Sequence, residues 1–467
     1  MTRPDATAMA AAVRSRRTTA EELVTEALAR IDAWDDDVNA FTVVLREQAL
    51  AQARAVDAAD PASLGPLAGV PVSVKDHIWM AGQPATNGSR TLRDFVPAVD
   101  AVPVARLRAA GAVIVGKTNN PEFCYRGYTD NALYGLTRNP WSLDRTPGGS
   151  SGGAGASVAY GATPIALGTD GGGSIRIPSA FCGVTGHKPT FGLVPKLPGF
   201  AGWPSLSVDG PLTASVRDAI LSLRVIAGAH PADPLSWPVS LGPDHDVDWS
   251  RLRVAVSEDL GCAPVEAEVR AAFRSAVDRL ADDGARITEA APGASYPSRL
   301  WNDIALPEGF ASEGHLLVQE DIEPISREIT ESGRAVTAAD YLHAQDRRRA
   351  FSEVWEAFFT EYDVLLTPSM PVPAFGTDVT GPAVIDGTSV DPFFDDWCLL
   401  ALPANLTGQP ATAVPTALSS EGLPLGMQVT GPRWSDLRVL AVAGRHEALT
   451  GFDCRPEALP GPRTVQP

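Results

Sequence analysis

Downstream of Thr19, apolar residues return at a spacing of four, at Leu23, Ala27 and Ile31. Thr19 and Glu22 also spell a capping box, so an amphipathic helix is predicted within a helical segment of about residues 1–60. Two compact β-branched runs follow, GVPVSVKD at 69–76 and AVIVGKT at 112–118, each ending close to a lysine. Both read as buried strands.

The rhythm continues with a helix at 154–160, a strand at 164–168 and another strand in RVAVSEDLG from Arg253. Val265, Val269, Phe273, Val277 and Leu280 then line one helical face, ahead of a short strand near Arg286. Such alternation predicts helices covering a largely buried sheet in one large α/β unit, residues 1–460, since no repeat or linker divides the chain. Residues 291–333 break the pattern with Pro, Gly, Trp and acids and read as an irregular insertion at a substrate cleft. The segment 461–467 reads as a disordered tail.

Composition narrows the class. The 467 residues are 44% hydrophobic and 20% charged, ordinary globular values. A net charge of −18 excludes a phosphate-neutralising surface and hence a nucleic-acid partner. The one basic knot, Arg347, Arg348 and Arg349, lies between Asp346 and Glu353 and reads as a solvated, salt-bridged helix face. Cys124, Cys182, Cys262, Cys398 and Cys454 are odd in number and form no CxxC pair, which suits a reducing cytoplasm. No window approaches a membrane span or a signal h-region, and the seven histidines offer no zinc spacing, so neither membrane nor metal is expected.

The segment TPGGSSGGAGAS at 146–157 demands a local reason, because dense glycine weakens helix and strand alike. A phosphate cradle lacks GxxxxGK[ST], and a linker does not fit the regular pattern on either side. A hydrolase loop remains, in two versions. Residues 148–152 formally match the GxSxG elbow with His446 as base, but SLDRTPGG is no strand, and VLAVAGRHEAL makes His446 an ordinary helical residue. The other version joins Ser150 to Ser174, which closes DGGGSIRIP, and to Lys75, which closes the first β-branched run.

PGGSSGG, LGTDGGGSIRIPSAFCGVTGHKPT and the GVPVSVKD lysine, in that order and spacing, resemble the amidase signature family. Further echoes in NPEFCYRGYTDNALYGLTRNPW, VDGPLTASVRDA and LTGQPATAVPTALSSEGLPLGMQVTGPRW extend the resemblance over nearly the whole chain. It implies a large mixed central sheet covered by helices on both faces. It also implies hydrolysis of carboxylic amides through an acyl-enzyme, with no cofactor.

By resemblance Ser174 attacks the carbonyl, Ser150 relays protons from behind a cis peptide bond, and Lys75 is the base. Lysine must then be neutral, which from a pKa of about 10.4 costs about 4.6 kcal/mol at pH 7, within what burial can supply. Gly171, Gly172 and Gly173, with the Ser174 amide, are candidates for an oxyanion hole whose donors are each worth about 2.7 to 4 kcal/mol. Asp170 and Arg176 are expected to brace that turn, and Ser151 to hydrogen-bond Lys75. Cys124 and Tyr125 fall where the family approaches substrate, although Cys124 reads equally as a small buried hydrophobe.

Two departures, His77 where many relatives carry Asn and GHKPTFGLVP in place of a GLKPTYGRVS type of segment, weigh against a glutamine-hydrolysing subunit of a tRNA-dependent amidotransferase. A non-catalytic Gly-rich ligand-binding protein is the alternative from another class. Trp79, Met80, Phe123, Tyr125, Trp203 and Trp301 cluster near the motifs or in irregular segments. They point to apolar or aromatic amides or anilides, with carbamates and esters as extensions. The expected partner is a small-molecule amide, and a homodimer is left open.

Overall fold

A computed structural model of the chain describes residues 5–243, 246–293, 297–392, 396–452 and 456. Cys454 and the predicted tail at 461–467 lie outside the described residues.

One mixed sheet organises the molecule. Its strands are β1 (Phe41–Val44), β2 (Pro71–Lys75), β3 (Val113–Thr118), β4 (Ile165–Asp170), β5 (Thr185–Lys188), β6 (Val208–Thr213), β7 (Val254–Val256), β8 (Ile287–Glu289) and β9 (Val364–Pro368). A separate small hairpin, β10 (Val384–Ile385) with β11 (Thr388–Ser389), precedes the last two sheet strands, β12 (Ala411–Leu418) and β13 (Pro424–Thr430). The eleven strands run in the order β1-β3-β2-β4-β6-β5-β12-β13-β9-β7-β8. Parallel pairing holds β3-β2-β4 and β9-β7-β8, while antiparallel pairs join the middle.

The period-two geometry of a strand explains how short apolar runs serve two layers at once. In β3, Val113 and Val115 share a core with Leu23, Val24, Leu28 and Ile31 of the helix Ala20–Val38. Ile114 between them joins Val72, Val74 and Leu167, beneath the helices Val216–Ile226 and Ala267–Asp282. Each such side chain fully withdrawn from water stabilises by about 1.5–3 kcal/mol. In β2 the same alternation sends Val72 and Val74 into one core and turns Ser73 and Lys75 to the opposite face. There the Ser73 hydroxyl meets Ser157 at 3.1 Å, on the glycine-rich helix Gly152–Ala159.

The capping box forms as written, Thr19 and Glu22 each satisfying the other's backbone N–H. The region 291–333 is corrected: it is not irregular but carries the helices Pro297–Glu313 and Pro324–Ser332 with a 3-10 turn, Gly314–Val318, between them. Pro307 inside the first helix disguised its pattern, while Leu300, Trp301, Ile304, Ala305 and Glu308 form its buried face. Arg348 is also corrected. Arg347 and Arg349 pair with Asp303 and Asp346, but Arg348 turns inward to the carbonyls of Leu406 at 2.6 Å and Ser205 at 2.9 Å. No helix among the described residues is long and apolar enough to cross a membrane.

Candidate active site

Lys75 ends β2 with no exposed surface, and its Nζ donates to Ser150 Oγ at 2.7 Å and to Thr169 Oγ1 at 2.8 Å. Thr169 belongs to β4, the parallel neighbour of β2, so sheet pairing sets the lysine's reach. Ser150 follows a cis peptide bond after Gly149. A Cβ on Gly149 would stand 2.6 Å from the Tyr128 carbonyl oxygen, so only glycine lets the two segments meet.

Burial is graded across the three residues: Lys75 is 0%, Ser150 1% and Ser174 8% exposed. The Ser174 hydroxyl has no hydrogen bond to a described residue, and its carbonyl accepts from the Ser151 amide at 3.2 Å, tying the two serine loops together. The group nearest solvent is therefore the unengaged hydroxyl, and the group furthest from it is the amine.

Electrostatics follow from that gradient. Burial lowers the Lys75 pKa from the ordinary lysine range, and Cys124, Asp209 and Asp170 oppose the shift. Asp76, the adjacent carboxylate, is not the partner of Lys75: it faces Lys117 at 3.8 Å and accepts from the Thr86 hydroxyl at 2.8 Å.

Asp170 accepts from Arg176 through Nε and Nη2, both at 3.0 Å, and from the amides of Gly173 and Ile175 at 2.8 and 3.2 Å. Burial alone would raise its pKa, but the Arg176 guanidinium outweighs it and holds the carboxyl well below the usual range. Arg176 in turn reaches the Ala401 carbonyl, Gln428 and Asn405, which ties the turn after β4 to the chain before and within β13.

This bracing alters the expected oxyanion cradle. The Gly173 N–H is committed to Asp170, whereas those of Gly171, Gly172 and Ser174 have no partner among the described residues. Gly173 sits at φ +125°, which an L side chain avoids, and this turns the chain back toward Ser174. Ser151 does not bond Lys75. Its hydroxyl exchanges hydrogen bonds with the Thr169 backbone at 3.2 Å, and Thr169 supplies the lysine's second contact. Only the β2-to-β4 register reveals Thr169; its sequence neighbours do not single it out.

Cys124 is buried, as its reading as a small hydrophobe expects. Lys75 and Ser150 bear on its thiol, which donates to Asn87 Oδ1 at 3.4 Å, and burial pushes its pKa up. His77 shares that Asn87 oxygen through Nδ1 at 2.9 Å, and burial holds the imidazole neutral. Tyr125 stacks on Trp203 with centroids 5.6 Å apart, and Trp203 meets Trp301 edge-on at 4.9 Å. A Cβ on Gly171 would lie 2.5 Å from the Trp203 ring, and one on Gly172 3.0 Å from Trp301, so the indoles form a wall directly over the glycine turn. Trp79 packs against Phe95 and Phe200 and lines a cavity of about 310 Å³ with Phe191, Lys196 and Ser207. A larger cavity, about 780 Å³, lies between the helices Val216–Ile226 and Asp436–Thr450 and contains none of the motif residues. His446 is buried on the latter helix against Thr416 and the Pro415 carbonyl, a packing role.

The chain belongs to the amidase family, whose model matches residues 22–440, and it is a hydrolase of amide C–N bonds. It is 39% identical to an acylamidase of Rhodococcus erythropolis over 459 residues, 95% of each chain. Identity to a glutamyl-tRNA(Gln) amidotransferase subunit from Chloroflexus aurantiacus is 37%, over 95% of this chain and 96% of that one. The solved structure of a bacterial aryl acylamidase of the amidase-signature family superposes with a TM-score of 0.88 at 30% identity, covering 96% of both chains. The α/β fold with its large mixed sheet is thus the amidase-signature fold.

Proposed function

We propose that the protein is a free-standing amidase that cleaves apolar or aromatic amides through a Ser174–Ser150–Lys75 relay. The observation that carries this reading is the 2.7 Å contact between a fully buried lysine amine and Ser150, whose neighbour Ser151 donates its amide to the Ser174 carbonyl at 3.2 Å, while the Ser174 hydroxyl has no hydrogen bond to a described residue. Neutral Lys75 takes the proton of Ser150 Oγ while Ser150 takes that of Ser174, whose oxygen bonds to the carbonyl carbon. The resulting oxyanion is received by the free N–H groups of Gly171, Gly172 and Ser174. The C–N bond then breaks, the relay returns a proton to the departing amine, and water displaces the acyl group from Ser174.

Tyr125, Trp203 and Trp301 supply the apolar wall suited to an aryl or alkyl acyl group, and the likeness to two acylamidases agrees with that class. Carbamates and esters present the same carbonyl to the same donors and are included. The test is labelling with an aryl fluorophosphonate followed by peptide mapping, alongside turnover of an acyl anilide. Modification at Ser174 with anilide turnover is the expected result; modification at Ser150 instead, or none with no turnover, overturns the reading.

A second reading, as the glutamine-hydrolysing component of a larger complex, draws on the 37% identity to amidotransferase subunits. Glutamine turnover exceeding that of anilides, with co-purifying partner chains, would establish it in place of the first.

A further inference from the structure

Asp209 enters none of the roles above, and its surroundings are unusual. It sits in β6 directly opposite Thr169 of β4 in an antiparallel pair. Side chains opposed in this way lie on the same face, with Cβ atoms about 4.5–5.5 Å apart. The Thr169 hydroxyl on that face holds the Lys75 amine. Asp209 is only 3% exposed, its Oδ1 has no hydrogen-bond partner, and none of the described residues forms an ion pair with it. A lone buried carboxylate costs several kcal/mol unless an opposite charge compensates it.

The charged and titratable groups around it decide which charge that is. From β2 comes Lys75, from the residue after it Asp76, and from β3 Lys117, which is committed to Asp76. From β4 comes Asp170, committed to Arg176. From the segment between β5 and β6 comes Lys196, whose Nζ reaches the Ala201 carbonyl at 3.4 Å; like Lys75 it forms no ion pair with Asp209, yet it is the cation that bears first on that carboxylate. Beyond Lys196 stand Asp233, whose carboxylate accepts from the Lys196 backbone amide, and Glu308 and Glu313 of the helix Pro297–Glu313. Cys124 and His77 also lie near Lys75 and are both held neutral by burial. The other carboxylates close to Lys75, Asp76 and Asp170, are spent on Lys117 and Arg176, whereas Asp209 stands between two cations, Lys196, which bears on it first, and Lys75.

We propose that Asp209 is a positioning residue for the base, the buried counter-ion of the Lys75 ammonium in the resting enzyme. Resting on the relay reading above, this makes Asp209 the group that sets how alkaline the medium must be before Lys75 can accept a proton. The carboxylate favours the ammonium; without it, the neutral amine forms at lower pH. Burial pushes the Asp209 carboxyl up to about 6, so the pair is complete near neutrality and dissolves in mild acid. Asp209 does not touch the reacting atoms and acts only through Lys75.

The test is the pH dependence of Ser174 inactivation by an aryl fluorophosphonate in the wild type, Asp209→Asn, Asp209→Ser and Asp209→Glu. Asn is isosteric and the carboxylate makes no hydrogen bond to a described residue that would be lost, so the fold is retained. The ratio of the inactivation rate at pH 6 to that at pH 8.5 should rise about threefold or more in the Asn and Ser variants, with Glu restoring the wild-type profile. An unchanged ratio in the neutral variants overturns the proposal. A uniform fall in rate at every pH overturns it as well, marking a structural role only. Were the wild type itself to show no acid limb or no label at Ser174, the relay reading would fall instead, so the two failures are told apart.

Discussion

The indole Nε1 of Trp301 donates to the carbonyl oxygen of Gly171 at 2.9 Å. A residue of the helix Pro297–Glu313 thereby fixes the peptide whose neighbouring N–H groups have no partner among the described residues and form the proposed oxyanion site. Trp301→Phe keeps an aromatic ring and removes the bond, so we predict a loss of about tenfold in kcat on an acyl anilide with KM nearly unchanged. A rise in KM alone would show that the indole only shapes the pocket.

Substrate preference follows from the same wall. With Tyr125, Trp203 and Trp301 over the glycine turn, kcat/KM for an aryl amide or acyl anilide should exceed that for acetamide, malonamate and glutamine. The net charge of −18 acts in the same direction against anionic amides, within the roughly 8–10 Å that salt permits. Competition between an anilide and malonamate in one assay decides it, and a win for the small anion removes the assignment.

Ser174→Ala should abolish covalent labelling, and Ser150→Ala or Lys75→Ala should each cost several orders of magnitude in kcat, with double variants little worse than single ones. His446→Ala, on a residue packed against Thr416, should retain turnover, with any loss appearing in melting temperature. Label retained in Ser174→Ala would return attention to Ser150 as nucleophile.

The proposed lysine base fixes a sign for pH. In that role Lys75 would be inert while protonated, and burial lowers its pKa, so kcat/KM should climb from acid and reach its plateau below the range of an ordinary lysine. Thr169→Val removes one of the amine's two acceptors and should depress the plateau about tenfold while Ser150 still holds the amine. An acid limb near pH 6.5 that persists in Lys75→Ala would assign the limb to another group.

Arg176 offers a test of stability. Replacing it with Met leaves Asp170 buried without its cation and should destabilise the fold by about 3–5 kcal/mol in urea denaturation. Because the Asp170 carboxyl is held below its unfolded value, its stabilising contribution is complete above about pH 4 and is lost only as the pH falls further.

The sequence made much of this legible where periodicity and spacing coincide. β2 and β3 are short β-branched runs buried along their whole length, and the capping box at Thr19 has one structural meaning. β6 was harder to see, because VDGPLT contains Gly, Pro and Asp, all poor strand formers, and takes its conformation from β4 and β5. The helix Pro297–Glu313 was hidden by Pro307 and by an apolar face interrupted by Glu308 and Glu313. Within the site, Lys75, Ser150 and Ser174 stand out in their motifs, whereas Thr169 and Asp209 are ordinary residues until strand register sets them opposite each other. The Gly173 N–H could not be assigned from its glycine run, since Asp170 claims it through a turn that only folding creates.

Lys75, Ser150, Thr169 and Ser174 precede residue 175, and of the wall over the glycine turn only Tyr125 comes from that stretch, while the two indoles, Trp203 and Trp301, follow it. Within the helix Pro297–Glu313, the Trp301 indole makes the hydrogen bond that reaches the turn, and the other ties to that turn come from Arg176 and Asn405, outside the helix. A library confined to 297–332 that keeps Trp301 can therefore diversify what the enzyme accepts while leaving the bond-breaking apparatus untouched, so new selectivities are reachable without first repairing catalysis.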